Sequence, residues 1–298
     1  MQFPTALHSV SYAGIWIGQA RLALPEFLRK AKSLGFDGVM LMAKRPHLSP
    51  LDYDAKSCDD LRRLLRDLQL KIVCLAGYND LGIGVDRPDI PLREMQILYV
   101  RELARLAQAL ECPLIRIFTS YDDLRMSYDQ QWAATALGLK ECAKQAAAFG
   151  VTLGVQNHHD TAAHYETMFD LLEEIDEPNC KAMFDAWAPA LHGIDLEAAV
   201  LKMAPYLVHT TVADYVRRPR FRYQPPLVNY TREVDSIRAV PMGEGFIDYA
   251  GFFRTLAKID YKGYVAYEMC SYLRGGGNES NLDRCALQFL EYMQTVSK

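Results

Sequence analysis

No cationic excess is present. The 33 lysines and arginines stand against 37 aspartates and glutamates, a formal net charge of −4 over 298 residues. A surface built to neutralise a phosphate backbone or to settle on anionic lipid needs the opposite balance, so neither nucleic acid nor membrane is expected as a partner. No run of about 18 apolar residues occurs, which excludes a spanning helix of the usual kind. The opening MQFPTALHSVSYAG lacks the basic and long apolar regions of a signal peptide. The seven cysteines (Cys58, Cys74, Cys112, Cys142, Cys180, Cys270 and Cys285) form no CxxC pair, and an odd number cannot all pair within one chain. Reduced thiols in an unexported, cytoplasmic protein are therefore expected. No GxGxxG follows an apolar segment, which argues against a dinucleotide-binding sheet.

What is there is a regular alternation. Half of the residues are hydrophobic, and they fall into short apolar runs separated by longer amphipathic stretches. Candidate strands lie near residues 6–12, 38–42, 71–76, 114–119, 152–158, 181–187, 207–213 and 264–269. Helical patterns follow them at 25–34, 57–68, 92–110, 129–149, 165–175, 196–204, 249–259 and 278–295. Pro25, Ser57 with Asp60, and Asp248 read as helix starts, and Gly35 and Gly150 as helix stops. Eight β/α units in a chain of this length predict a single α/β domain over residues 1–298, a (β/α)8 TIM barrel. The stretch 216–247, rich in Arg and Pro, is too long for a bare connection and is expected to be an irregular lid loop over the substrate.

In such a barrel the working residues stand at the C-terminal ends of strands. Strand five ends in Gln156 and His158, which share a face by alternation; strand six ends in Asp185, strand seven carries His209, and strand eight ends in Glu268. Any one of them alone reads as hydrogen-bonded filler, whereas four on consecutive strands at matching depth favour a shared ligand. Carboxylates, an amide and one imidazole without thiolate suit Mn2+ or Mg2+, with Co2+ also acceptable and Zn2+ less so.

Around these residues the chain resembles the xylose isomerase-like TIM barrels, a group of sugar isomerases and epimerases that includes inosose-processing enzymes and shares its fold with endonuclease IV. The resemblance rests on YKGYVAYEMC around Glu268, GVTLGVQNHHD, MFDAW with Asp185, VHTTVAD with His209, and MGEGFIDY. It implies one divalent metal held by Gln156, Asp185, His209 and Glu268. Two positions depart from the family pattern: Gln156 stands for a glutamate, and Ala188 for a frequent histidine. The ion would then face two carboxylates instead of three, and an amide cannot exchange a proton near neutral pH. His158 is the candidate replacement base beside Glu268, with donation to a neighbouring carboxylate as its structural alternative.

The implied activity is a keto-sugar isomerase or epimerase working through a metal-stabilised enediolate. The alternative is a lyase or dehydratase, because β-elimination needs only one base. A non-catalytic barrel assisting a partner is a third reading, and an endonuclease IV-like nuclease is disfavoured by the acidic charge. His47 in the KRPH segment with Lys44, and Asn79, Arg116, Trp187 and Arg217 with Arg218, are candidates to bind substrate. Each has a structural alternative in loop, packing or ion pairing. Gly275, Gly276 and Gly277 follow the eighth strand, where barrels often hold phosphate, although a flexible joint explains them as well. Barrels of this kind commonly form dimers or tetramers.

Overall fold

The computed structural model describes residues 3–87 and 89–296. Eight parallel strands close a barrel: β1 (Thr5–His8), β2 (Gly38–Met42), β3 (Lys71–Ala76), β4 (Leu114–Ile117), β5 (Thr152–Gln156), β6 (Cys180–Met183), β7 (Leu207–Val212) and β10 (Val265–Tyr267). Neighbours in the ring follow chain order, and β10 closes it by pairing with both β7 and β1. Parallel pairing forces a crossover between successive strands. The crossovers are α1 (Leu24–Leu34), α2 (Ala55–Leu68), α3 (Leu92–Ala109), α4 (Tyr128–Ala147), α5 (Tyr165–Ile175), α7 (Leu196–Met203) and α8 (Tyr249–Lys258); α9 (Glu279–Val296) follows the last strand, and a short α6 (Trp187–Leu191) precedes α7.

Each helix is held by one apolar stripe. In α1 the buried residues Leu24, Phe27, Leu28 and Ala31 recur at helical spacing and turn toward the strands. The core has two layers. A large one lies between strands and helices, and a small one inside the barrel includes Ala6, Met40, Cys74, Ala76, Met183 and Ala266. The inner layer is mostly small or unbranched because eight strands leave an interior just wide enough for side chains.

The helix ends follow the sequence signals with one shift. Pro25 lies in the first turn of α1, Gly35 ends it at φ 97°, and Asp248 caps α8 by accepting from Gly251 N at 2.8 Å. Ser57 is not a cap: Asp54 is, and it accepts from Ser57 N at 2.8 Å.

Several strands stop earlier than the apolar runs suggest. β1 ends at His8, and Ser9–Tyr12 form a 3-10 turn. Ladder bonds there give way to side-chain ones: Met42 N donates to Ser9 Oγ at 2.8 Å and Met269 N to Ser11 Oγ at 2.9 Å. As a result His158, Asp185 and Glu268 stand just beyond their strands, in the loops of the C-terminal mouth.

The expected irregular lid is an antiparallel hairpin, β8 (Asp214–Gln224) and β9 (Asn229–Val240), with Asp214 opposite Val240 and Gln224 opposite Asn229. Most of its residues are exposed on both faces, so it carries none of the apolar–polar alternation by which strands are read from sequence. Its base is fixed by Asp214, whose Oδ2 accepts from Gly243 N at 3.0 Å and Gly245 N at 2.8 Å. A Cβ on Gly245 would collide with that carboxylate. All seven cysteines are free. Among the described residues no helix is long and apolar enough to cross a membrane.

Candidate active site

A cavity of about 130 Å³ opens at the C-terminal mouth, with His158, Asp185, Trp187, Tyr215, Glu268 and Cys270 among its lining residues. Three of the strand-end residues singled out from sequence therefore meet in one space. Gln156 and His209 lie beneath them, both buried.

Gln156 joins three strands. Its Oε1 accepts from Arg116 Nη1 at 2.9 Å, and its Nε2 donates to Asp185 Oδ2 and, at 3.2 Å, to Thr211 Oγ1. A guanidinium only donates and a carboxylate accepts, so this arrangement fixes which end of the amide is oxygen. Asp185 is held further: Thr211 N donates to Oδ1 at 2.8 Å and Thr211 Oγ1 to Oδ2 at 2.6 Å. Its backbone is clamped by Asn157, which accepts from Asp185 N at 2.7 Å and donates to Asp185 O at 2.9 Å. Glu268 has His8 beside it, Nε2 to Oε2 at 3.7 Å.

Burial sets the protonation of these groups. It pushes Asp185 up to about 7, helped by Glu268 and opposed by the Thr211 and Gln156 hydrogen bonds. Glu268 is also raised by burial, with Arg116 pulling the other way. His209 is driven down to about 3 by burial and then by Arg116, and His8 is lowered well below its ordinary value by the same two causes. His158, hemmed in by Phe118 and Trp187, falls to about 4 through desolvation and Arg116. All three imidazoles are thus neutral near pH 7.

These residues do not fit the single divalent ion that the resemblance implies. Coordination would require Gln156 Oε1, an Asp185 oxygen, His209 and Glu268 to turn lone pairs toward one point. Gln156 Oε1 instead accepts from a permanent cation, and its amide nitrogen, not its oxygen, meets Asp185. Both Asp185 oxygens accept hydrogen bonds, Oδ2 from two donors and Oδ1 from one. Among the described residues no three His, Cys, Asp or Glu side chains gather as a metal site. His209 Nε2 is buried without a hydrogen-bond partner and Glu268 faces the cavity, so these two members of the set keep free ligating atoms.

The remaining candidates divide. Trp187 lines the cavity, and its Nε1 has no partner. Arg116 is buried below it, with Tyr78 and Phe118 rings 4.9 and 3.9 Å from its guanidinium carbon; it pairs with Gln156 and not with a carboxylate. Asn79 is spent on structure, for its amide donates to Phe118 O at 2.7 Å and accepts from Phe118 N at 2.9 Å. His47 stacks on Phe27 and bonds Leu22 O at 3.1 Å, away from the cavity. Lys44 lies over the Tyr78 ring at 3.8 Å. Arg217 ties the hairpin to α6 by donating to Leu191 O at 2.7 Å, and Arg218 bonds the Arg217 carbonyl. The triple glycine serves a close approach: Ala20 N donates to Gly277 O at 2.7 Å, and a Cβ on Gly277 would strike Trp16 and Gln19. The sequence reading missed His8 and Thr211. Ending β1 at residue 12 hid the first; alternation from His209 along β7 would have found the second.

The pattern of the xylose isomerase-like TIM barrel family matches residues 28–291. A protein of Escherichia coli (strain K12) named "Putative L-ribulose-5-phosphate 3-epimerase SgbU" is 28% identical over 257 residues, 83% of this chain and 84% of that protein. D-psicose 3-epimerase from Clostridium cellulolyticum H10, solved with D-tagatose, superposes with a TM-score of 0.75 at 19% identity over 99% of each chain. An L-ribulose 3-epimerase superposes with a TM-score of 0.75 at 16% identity, over 99% of this chain and 94% of its own. Because the family pattern spans most of the chain and the barrel superposes end to end, the chain belongs to the xylose isomerase-like TIM barrel family.

Proposed function

We propose that this protein is a keto-sugar epimerase or isomerase that works by removing a proton from the carbon beside the carbonyl. The observation that carries this reading is Glu268, a carboxylate on the wall of the barrel-mouth cavity whose proton affinity is raised by burial. A base of that kind is suited to take a weakly acidic C–H proton. The name of the Escherichia coli relative, a 3-epimerase, supports an enzyme and this reaction class.

In this scheme Glu268 takes the α-proton. The C–H electron pair becomes the C=C bond of an enediolate, and the carbonyl oxygen takes the negative charge. Return of a proton to the opposite face inverts the centre; delivery to the neighbouring carbon, with the adjacent hydroxyl proton passing to the former carbonyl oxygen, moves the carbonyl. His158 lines the same cavity and, neutral near pH 7, is the second group able to accept a proton; the proton returned to the opposite face then comes from solvent. Trp187 offers its ring as a platform for the sugar, and Tyr215 lies 5.7 Å from it, centroid to centroid. The hairpin contributes Ile237 to the wall, which suits a cover over bound sugar.

A second reading has its own observation. Gln156, bonded to Arg116 and Asp185, cannot carry a proton. If His158 only orients substrate, Glu268 alone suffices for β-elimination from a keto-sugar or keto-glycoside. Incubation with a panel of ketoses in D2O separates the two. Deuterium at the α-carbon of recovered sugar together with a new epimer or isomer supports the proposal, and an unsaturated product absorbing in the ultraviolet moves the assignment to a lyase. Recovery of every sugar unlabelled and unchanged would sink both.

A further inference from the structure

An unexplained feature at the heart of the site is Arg116. Its side chain is 3% exposed, rises from the middle of β4, and finds a neutral amide as its hydrogen-bond partner. Its Nε is buried with no partner. Burying a guanidinium with no carboxylate bonded to it is costly; the Tyr78 and Phe118 rings and the field of Glu268 offset part of that cost and leave Nε for a ligand.

The charge count says what. The family pattern described from sequence sets three carboxylates around one dication, leaving a single net negative charge. Here Gln156 replaces one carboxylate and Arg116 adds one positive charge, so Asp185 and Glu268, when both are ionised, leave the same single negative charge. The two changes touch each other, since Arg116 Nη1 donates to Gln156 Oε1 at 2.9 Å. A glutamate at that place would pair with the guanidinium and consume it; a glutamine anchors it and leaves its charge unspent. The same bond takes one lone pair of the amide oxygen and sets a fixed positive charge against any cation that would approach the other.

Two buried nitrogens remain unpartnered in this inner layer, Arg116 Nε and His209 Nε2. Both suit oxygen atoms of a ligand: the guanidinium N–H donates, and a neutral imidazole donates or accepts according to its tautomer. A carbonyl with an adjacent hydroxyl, the unit that becomes an enediolate, supplies such a pair of oxygens.

We propose that the Arg116 guanidinium is the resident cation of this site, standing where the family pattern places a divalent metal and stabilising the oxyanion of a keto-sugar enediolate. The ligand half of this statement rests on the function proposed above; the cation half does not. A preorganised cation in a site shielded from water is the kind of group that lowers the barrier to enolisation. Arginine is suited to the place because it stays charged at any working pH.

The deciding experiment is Mn2+ uptake. Protein stripped with EDTA is titrated with MnCl2 up to about 1 mM, a range that detects binding as weak as roughly 4 kcal/mol, with free Mn2+ followed by electron paramagnetic resonance. The wild type takes up no stoichiometric Mn2+, whereas the Arg116→Met/Gln156→Glu variant, with the third carboxylate restored and the cation removed, takes up one equivalent. Uptake of one equivalent by the wild type overturns the proposal, and so does a folded double variant that takes up none. The wild-type measurement needs no substitution, so a variant that fails to fold leaves the proposal open to refutation.

The ligand half is read with a hydroxamate analogue of the enediolate. It binds metal-free wild type, and Arg116→Met weakens it roughly 10- to 100-fold, the usual effect of removing a charged hydrogen-bond donor. Arg116→Lys recovers part of the loss. A hydroxamate that ignores the metal-free wild type sinks the keto-sugar reading, while the Mn2+ result still decides the cation.

Discussion

Thr211 grips Asp185 at both carboxylate oxygens, its backbone N–H on Oδ1 at 2.8 Å and its hydroxyl on Oδ2 at 2.6 Å. The backbone bond survives any substitution at residue 211 except proline; the hydroxyl bond needs a hydroxyl side chain. Thr211→Val keeps the shape of the side chain and removes one donor from a buried carboxylate. It should cost about 1–3 kcal/mol at pH 7, read from urea unfolding. The loss should be smaller at pH 5, where Asp185 carries a proton. Equal losses at the two pH values would show that the hydroxyl does not hold the anion.

Asp185 also gives stability a definite pH dependence. Its value in the folded protein is about 7, against roughly 3.9 for an unperturbed aspartate. Between those values the folded protein binds a proton that the unfolded chain has released. The stability from this group is therefore fully present below about pH 4 and is lost as pH rises through 7. Asn at this position is always neutral, so the cost of Asp185→Asn should shrink between pH 5 and pH 8. His209, lowered to about 3, works in the opposite sense, its contribution being present above about 6.5 and lost as pH falls toward 3. That dependence is common to both proteins and cancels in the comparison. A cost that grows with pH would mean that Asp185 is a stabilised anion.

Glu268→Gln removes the base and keeps the size of the side chain. Exchange of the α-proton in D2O should fall by about 10²- to 10⁴-fold, the usual contribution of a positioned acid–base group. Circular dichroism and binding of the unreacted sugar should change little. Unchanged exchange would move the base elsewhere, with His158→Asn the next substitution to measure.

Trimming the hairpin tests its role as a cover. Arg218 lies opposite Ser236, so residues 219–235 can be replaced by an Asn-Gly turn that suits a tight hairpin. No residue removed is buried, and the barrel should fold with a melting temperature close to that of the full chain. KM should rise with kcat less affected, because the hairpin that would close over bound sugar is cut back to its base while Tyr215, Ile237 and Glu268 stay on the cavity. Light scattering of the same protein reads a second property. Phe221, Tyr223 and Tyr230 are exposed along the hairpin, and a drop in molecular mass on trimming would assign it to contacts between copies. A KM that stays constant rules out the lid.

The barrel was legible because its evidence is repeated. Eight apolar runs each followed by an amphipathic helix leave few alternatives, and an error at one boundary does not alter the count. The hairpin was not legible, since strands solvated on both faces carry no periodic signal. Glu268, Asp185 and His158 were found from their places at strand ends, and the structure sets all three on one cavity. Asn79 and His47 were misplaced by the same rule: a polar residue after a strand can equally fasten a loop, as Asn79 does on both backbone groups of Phe118.

By itself the sequence determined the architecture and the family, because both are written in local patterns: hydrophobic period, helix signals and short runs around each strand end. It also exposed the departure at Gln156. Only the tertiary structure decided what that departure means. Residues 116 and 156 are 40 positions apart, and nothing local states that a guanidinium from one strand will settle on the amide of the next. Hydrogen bonding and charge act over a few ångströms in space, whatever the distance along the chain, so the partner of a buried charge is fixed only once the barrel has closed.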